Sequence, residues 1–276
     1  MAPLPELTEV VPVVHPHGVL ELRLNTPKNL NAFGGEKYLE LIEGFNWARD
    51  NDDIKAVVVT STGRFFSAGA AIGAGGMGGD GPKTPRTESP ATKYIAMLID
   101  FPKLAVCALQ GPAYGIAVTT LPLFDLVYAV ENVTLTTPFS RLGISLEGCS
   151  SVTFPPLFGN SLTTRLLYLA ETVPMDDLRH TGLFAGILDP NAFQETVIKK
   201  VQDYLEDLAF GSIVVSKAQI RTPEQRKYLH KVNIDEMAAV DERHRSQEHK
   251  DAIKRFQEKA KAKAAAKKAG QAQAKL

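Results

Sequence analysis

The residues Gly111-Pro112-Ala113-Tyr114-Gly115-Ile116 are the first in this chain whose spacing suggests chemistry. An apolar run, Leu104 to Leu109, leads into them, and another apolar run starts straight after. A strand, a glycine turn and a helix start in that order leave unpaired backbone N–H groups aimed at one point, where an anion can sit. About thirty residues later, Leu146-Glu147-Gly148 puts a carboxylate on a turn. Convergent N–H donors with one carboxylate are what proton transfer beside a carbonyl requires.

Other reactive side chains fit this chemistry less well. Cys149 has no histidine near it in sequence to activate it, and Cys107 lies inside an apolar strand, so both read as packing residues in a reducing compartment. His15, His17, His180, His230, His244 and His249 show no metal-ligand spacing. Gly73, Gly75 and Gly78 spell a dinucleotide fingerprint, but no strand runs directly into a helix there, and Pro82, Pro85 and Pro90 oppose a helix start. Residues 73–90 read as a low-complexity loop forming a flap beside the site. Asp125 reads as a structural cap, and Glu171 and Asp176-Asp177 as helix-terminal charges.

The elements that must position these groups form an α/β pattern. A strand is expected over Gly18 to Asn25, where Leu20, Leu22 and Leu24 alternate with charges, and a helix over about Glu36 to Asp50. A β-branched strand, Ile54 to Thr60, follows and should be covered on both faces. The pattern repeats as helix Thr92 to Asp100, strand Leu104 to Leu109, a helix from about Gly115 and strand Asp125 to Val130. After Ser151, helices are expected at Leu162 to Ala170, Met175 to Thr181 and Ala192 to Leu208, with a short strand at Gly186 to Leu188. From Pro223 to about Ala269 a long charged helical stretch carries too few apolar residues for its own core, so it needs another surface.

Composition narrows the function classes. The chain has 276 residues, 44% hydrophobic and 22% charged, with 31 basic against 31 acidic side chains. Zero formal net charge favours neither nucleic acid nor an anionic membrane, and the Ala/Lys-rich end reads as a frayed helix or solvated tail. No apolar run reaches the ~18 residues of a membrane span, and the N-terminus lacks the pattern of a signal peptide. Ala274-Lys275-Leu276 is a variant of the Ser-Lys-Leu peroxisomal address, readable by an import receptor.

Two segments together, Phe65-Phe66-Ser67-Ala68-Gly69-Ala70 and Gly111-Pro112-Ala113-Tyr114-Gly115-Ile116, resemble the paired oxyanion-hole signatures of the enoyl-CoA hydratase/isomerase (crotonase) superfamily. Thr26-Pro27-Lys28-Asn29-Leu30-Asn31-Ala32 resembles its early coenzyme A-contacting turn. The resemblance implies a spiral of ββα turns over residues 1–200 carrying the acyl-CoA site. It also implies a helical region over 201–276 that assembles a homotrimer or a dimer of trimers. The substrate would be an acyl-CoA thioester; coenzyme A is then part of the substrate and no separate cofactor is needed. By position, the N–H groups of Ala70 and Ile116 would form the oxyanion hole. Ala68, Gly69, Ala70, Ala71 and Ile72, with Leu30 and Gly115, would line the coenzyme A path. Lys217 could approach the coenzyme A phosphates, or stand solvated.

Ala71 stands where the family often has aspartate, so a polar contact is expected to be missing. Thr119 and Phe139 occupy the positions of the hydratases' two catalytic glutamates, and neither can act as a carboxylate base. Glu147, in Ser145-Leu146-Glu147-Gly148-Cys149-Ser150-Ser151, lies where the chain resembles the Δ3,Δ2-enoyl-CoA isomerases, the peroxisomal branch especially. The expected reaction is migration of a 3-enoyl-CoA double bond to trans-2-enoyl-CoA, with Glu147 carrying the proton. The alternatives are another crotonase-type acyl-CoA enzyme, on a specialised substrate or a hydratase, and a non-catalytic acyl-CoA-binding protein.

Overall fold

The structure is a computed structural model that describes residues 3–71 and 85–273. Ile72, residues 73–84 of the glycine loop with its fingerprint glycines, and Ala274 to Leu276 lie outside the described residues.

The main sheet has six strands. β1 (Val10–His15) pairs antiparallel with β2 (Val19–Leu24). From β2 the order continues in parallel through β3 (Ala56–Ser61), β4 (Leu104–Leu109), β6 (Leu126–Val130) and β9 (Gly186–Leu188). Helices cross between the parallel strands: α1 (Gly35–Asp50) between β2 and β3, and α2 (Pro90–Asp100) between β3 and β4. Every residue of β3 is buried, as its unbroken Ala-Val-Val-Val-Thr-Ser run requires of a strand covered on both faces. Each of its three valines contributes roughly 1.5–3 kcal/mol by leaving water.

A smaller sheet carries the turns that matter. β5 (Ala113–Tyr114) pairs parallel with β7 (Thr134–Thr136), which pairs antiparallel with β8 (Thr172–Pro174). The helix expected from Gly115 is only four residues, α3 (Ile116–Thr119), because Pro122 follows within a 3₁₀ turn. This mixed α/β architecture, with helices gathered at the C-terminal end, agrees with the expected crotonase-like fold class.

The C-terminal half departs from expectation in places. α4 starts at Ser150 and runs to Leu167, twelve residues earlier than the hydrophobic period suggests. Pro155, Pro156 and a positive-φ Gly159 break it into two pieces, which masks its period. α5 (Met175–Leu178) and α6 (Phe193–Asp207) fall close to their expected places. α7 (Phe210–Ile220) was not apparent in the sequence, and the long charged stretch divides at Ser246 into α8 (Pro223–Arg245) and α9 (Gln247–Gln273). No described helix is long and apolar enough to cross a membrane.

Candidate active site

Three segments distant in sequence run side by side on one seam of backbone. The Ala68 N–H donates to the Leu30 carbonyl (2.9 Å) and the Phe33 N–H to the Gly69 carbonyl (2.8 Å). The Phe66 N–H donates to the Pro112 carbonyl (3.0 Å) and the Tyr114 N–H to the Ser67 carbonyl (3.0 Å). Parallel bridges pair Phe33 with Ala70 and Ser67 with Ala113. Turn 26–32, segment 65–71 and segment 111–116 are thereby one layer.

Asn31 holds that layer together, a role the sequence concealed. It is fully buried with φ of 54°, accepts from the Thr26 N–H (2.9 Å) and donates to the carbonyls of Thr62 (2.8 Å) and Phe65 (3.1 Å). Its own carbonyl accepts from the Ser67 hydroxyl (2.8 Å). Lys37 is also fully buried; its ammonium reaches the Thr26 hydroxyl and the Ala32 carbonyl (2.9 Å), with Glu9 at 3.5 Å. Burial lowers the Lys37 pKa. Neither residue was singled out from sequence, because each acts through partners reached only in the fold.

The seam leaves two donors open. In the pairing of Phe33 with Ala70, the hydrogen bonds are made by the groups on either side, so the Ala70 N–H faces away. Ile116 is the first residue of α3, where an N–H has no partner in its own helix. Among the described residues neither N–H has an acceptor. Gly69 sets their proximity: its φ is 79°, and a Cβ there would lie 2.6 Å from the Tyr114 carbonyl oxygen. Gly115, with φ of 53°, turns the chain into α3 while its N–H donates to Thr136 on β7 (2.9 Å). Leu30, Ala68, Ala70 and Ala71 are partly exposed along this seam, whereas Gly69, Gly115 and Ile116 are buried.

Glu147 arrives from the same end of β7, beyond Thr136. After Pro138 the chain coils through a 3₁₀ turn at Ser140–Leu142 and reaches a tight turn, where the Ser150 hydroxyl donates to the Glu147 carbonyl (2.7 Å). Gly148, with φ of 76°, packs directly on the Thr119 side chain. This contact brings Glu147 to α3, the helix whose first N–H is open. It also explains the small residue at 119, since a glutamate would collide with the turn that carries Glu147. Phe139 is 1% exposed and fills the core instead.

The Glu147 side chain is buried, and among the described residues no donor hydrogen-bonds its carboxylate. Its pKa is pushed up to about 7, chiefly by loss of solvent, with the Glu236 carboxylate adding to the rise and the Arg86 guanidinium opposing it. Burial and the Glu147 charge together push the Tyr38 hydroxyl well up as well. Tyr38 packs with Phe33 (5.1 Å between ring centroids) and Tyr94 (5.9 Å), an aromatic wall beside the carboxylate. Such a carboxylate can be ionised near neutrality and is a stronger base than an exposed one.

The remaining polar candidates are structural. Lys217 does not stand in solvent: its ammonium donates to Asp125 (2.6 Å) and the Lys103 carbonyl (2.6 Å), because α7 docks on the start of β6. Asp125 also accepts from the Ala105 N–H (2.8 Å), as a structural cap would. Cys107 and Cys149 are buried free thiols, the latter donating to the Leu229 carbonyl at 3.5 Å with its pKa pushed up to about 12, chiefly by burial. Glu171 and Asp177 pair with Arg165, and Asp176 with Arg179. Among the described residues no cluster of His, Cys, Asp and Glu could hold a metal ion.

Comparison with known proteins bears on the family and the fold. Residues 15–266 match the enoyl-CoA hydratase/isomerase family, and the chain belongs to that family. It is 32% identical over 254 residues to human enoyl-CoA delta isomerase 2, covering 90% of this chain and 63% of that protein. The chain therefore spans less than two thirds of that relative. Mouse enoyl-CoA delta isomerase 3, peroxisomal, is 32% identical over 244 residues, covering 87% of this chain and 75% of that one. An enoyl-CoA hydratase/isomerase structure from Pseudoalteromonas atlantica T6c superposes with a TM-score of 0.84 at 23% identity, over 91% of this chain and 98% of that one, which supports the fold.

Proposed function

We propose that this chain is a Δ3,Δ2-enoyl-CoA isomerase that shifts the double bond of a 3-enoyl-CoA to trans-2-enoyl-CoA, with Glu147 as the single proton carrier. The observation that carries this reading is one buried carboxylate with no partner among the described residues, its pKa raised to about 7, packed through Gly148 against the helix whose first N–H has no acceptor among those residues. Thr119 and Phe139 supply no second carboxylate for holding a water, which favours isomerisation over hydration. The names of the human and mouse relatives point the same way.

The thioester oxygen accepts hydrogen bonds from the Ala70 and Ile116 N–H groups. Ionised Glu147 removes a proton from C2, and the C–H electrons flow into a dienolate whose negative charge rests on that oxygen. Each donor is worth on the order of 3 kcal/mol to such an oxyanion. Glu147 then returns the proton to C4, the C3=C4 bond becomes C2=C3, and the carboxylate is regenerated. Substrate and product have the same composition, so the chemistry consumes no redox equivalent. The partly exposed residues Leu30, Ala68, Ala70 and Ala71 line the coenzyme A path in this reading.

The proposal includes an oligomer assembled through residues 201–276 and a peroxisomal location. α7 buries none of its residues, and Val215, Ile220 and Tyr228 are exposed apolar groups that a second copy would cover. The mouse relative's name supports the location. The test is isomerisation of a 3-enoyl-CoA, wild type beside Glu147→Gln. Turnover by the wild type and loss in the variant supports both the reaction and its base. Equal turnover in both rejects Glu147, and none in either, with acyl-CoA bound, rejects this reaction.

A further inference from the structure

The turn that carries Glu147 is not held by its own hydrogen bonds alone. Cys149 has a φ of 61°, a conformation costly for a residue with a Cβ, and the first N–H groups of α4 need acceptors from elsewhere. Both needs are met by a side chain nearly ninety residues away. The Glu236 carboxylate on α8 accepts from the Cys149 N–H (2.7 Å) through one oxygen and from the Ser151 N–H (2.9 Å) through the other. It is 6% exposed, so both bonds are sheltered from water.

The same helix grips the opposite flank of the site. Asp241, five residues on, accepts from the Arg86 N–H (2.9 Å), Asn233 donates to the Thr92 carbonyl (3.0 Å), and His244 meets the Arg86 guanidinium (3.2 Å). α8 is therefore a strap lying across two segments that are unconnected in sequence. One of them bears the carboxylate and the other bears the arginine that influences it.

We propose that Glu236 is a positioning residue for proton transfer, fixing the 147–151 turn so that the Glu147 carboxylate stays aimed at the carbon from which it takes a proton. This inference rests on the isomerase reading and adds to it a requirement for the C-terminal helix. A bidentate carboxylate suits the task because two N–H groups on either side of Ser150 must be held at once. An amide can satisfy one of them with its oxygen, but it offers a donor to the other. Among the described residues, the groups facing Glu147 are Tyr38 from α1, Arg86 from the turn before α2, and Glu236 from α8. Removing Glu236 thus removes the like charge while leaving Arg86 in place.

The experiment compares wild type, Glu236→Gln and Glu236→Ala in two measurements. In amide hydrogen exchange, Glu236→Ala is expected to speed exchange at residues 149–151 while β3 and β4 remain protected. In steady-state kinetics on a 3-enoyl-CoA, Glu236→Ala should lower kcat about 10- to 100-fold with KM changed less than about 3-fold, because a misaimed group costs rate rather than binding. Glu236→Gln should fall between, and in both variants the acid limb of kcat should move to lower pH. Unchanged exchange at 149–151 overturns the tether whatever the reaction is. Faster exchange with an unchanged kcat and acid limb overturns the positioning role. If the wild type does not isomerise 3-enoyl-CoAs while exchange rises as expected, the isomerase reading falls and the tether stands.

Discussion

Replacing Glu147 by glutamine should abolish turnover and at the same time make the protein more stable, the gain growing as pH rises from about 4.5 to about 7. The side chain is buried without a hydrogen-bond donor among the described residues, and its pKa is raised from 4.5 to about 7, mainly by loss of solvent. A carboxyl that binds its proton more tightly in the folded state stabilises that state below pH 4.5, where it is neutral folded and unfolded alike. The advantage is lost as pH rises through about 7, because folding must then bury a charge. At ~1.4 kcal/mol per pKa unit the ionised group costs the fold about 3 kcal/mol. Glutamine keeps the shape and never ionises. Urea unfolding should therefore give nearly equal stabilities for the two proteins at pH 4.5, and at pH 8 an advantage of about 3 kcal/mol for Glu147→Gln. An equal effect at both pH values, or destabilisation at pH 8, would refute the claim that Glu147 is a desolvated, unpaired carboxylate.

Further outcomes follow from the same geometry. In the wild type, kcat/KM for isomerisation should fall below an acid limb near pH 7, since the base of the free enzyme must be ionised; a limb below pH 5 in that pH–rate profile would contradict the buried environment. Gly69→Ala should lose most activity, because its φ of 79° and the Tyr114 oxygen 2.6 Å from the new Cβ force the two donor segments apart; wild-type kcat in that variant would sink the shared seam. Asn31→Leu should destabilise by roughly 2–4 kcal/mol in urea unfolding, because the Thr62 carbonyl and the Thr26 N–H lose the partner that Asn31 supplies. Lys217→Met should cost about 1–3 kcal/mol, since Asp125 loses its ammonium and keeps the Ala105 N–H and the Arg221 guanidinium at 3.8 Å, with KM for acyl-CoA unchanged, whereas a large rise in KM would return Lys217 to the substrate.

What this chain declares by itself is local. Glycines that need positive φ stand beside strand ends at Gly69 and Gly115, and periodic apolar runs mark β2, β3, β4, α1 and α6 well enough to give the α/β class. Motif order was enough to pair segments 65–70 and 111–116 and to pick out Glu147. Short strands such as β5 and β8, the proline-bearing start of α4, and α7 escaped because two- or three-residue pairings and broken periods carry no signal of their own. Asn31, Lys37 and Glu236 were invisible for a different reason: a polar residue on a helix or turn looks solvated until its partners are known. Glu236 meets the 149–151 turn only after α8 folds back across the core, 85 to 87 positions later. The ionisation of Glu147 was decided in the same way. Its identity is written in the chain, but burial, Glu236 and Arg86 together set its charge, because solvation and Coulomb forces act through space rather than along sequence.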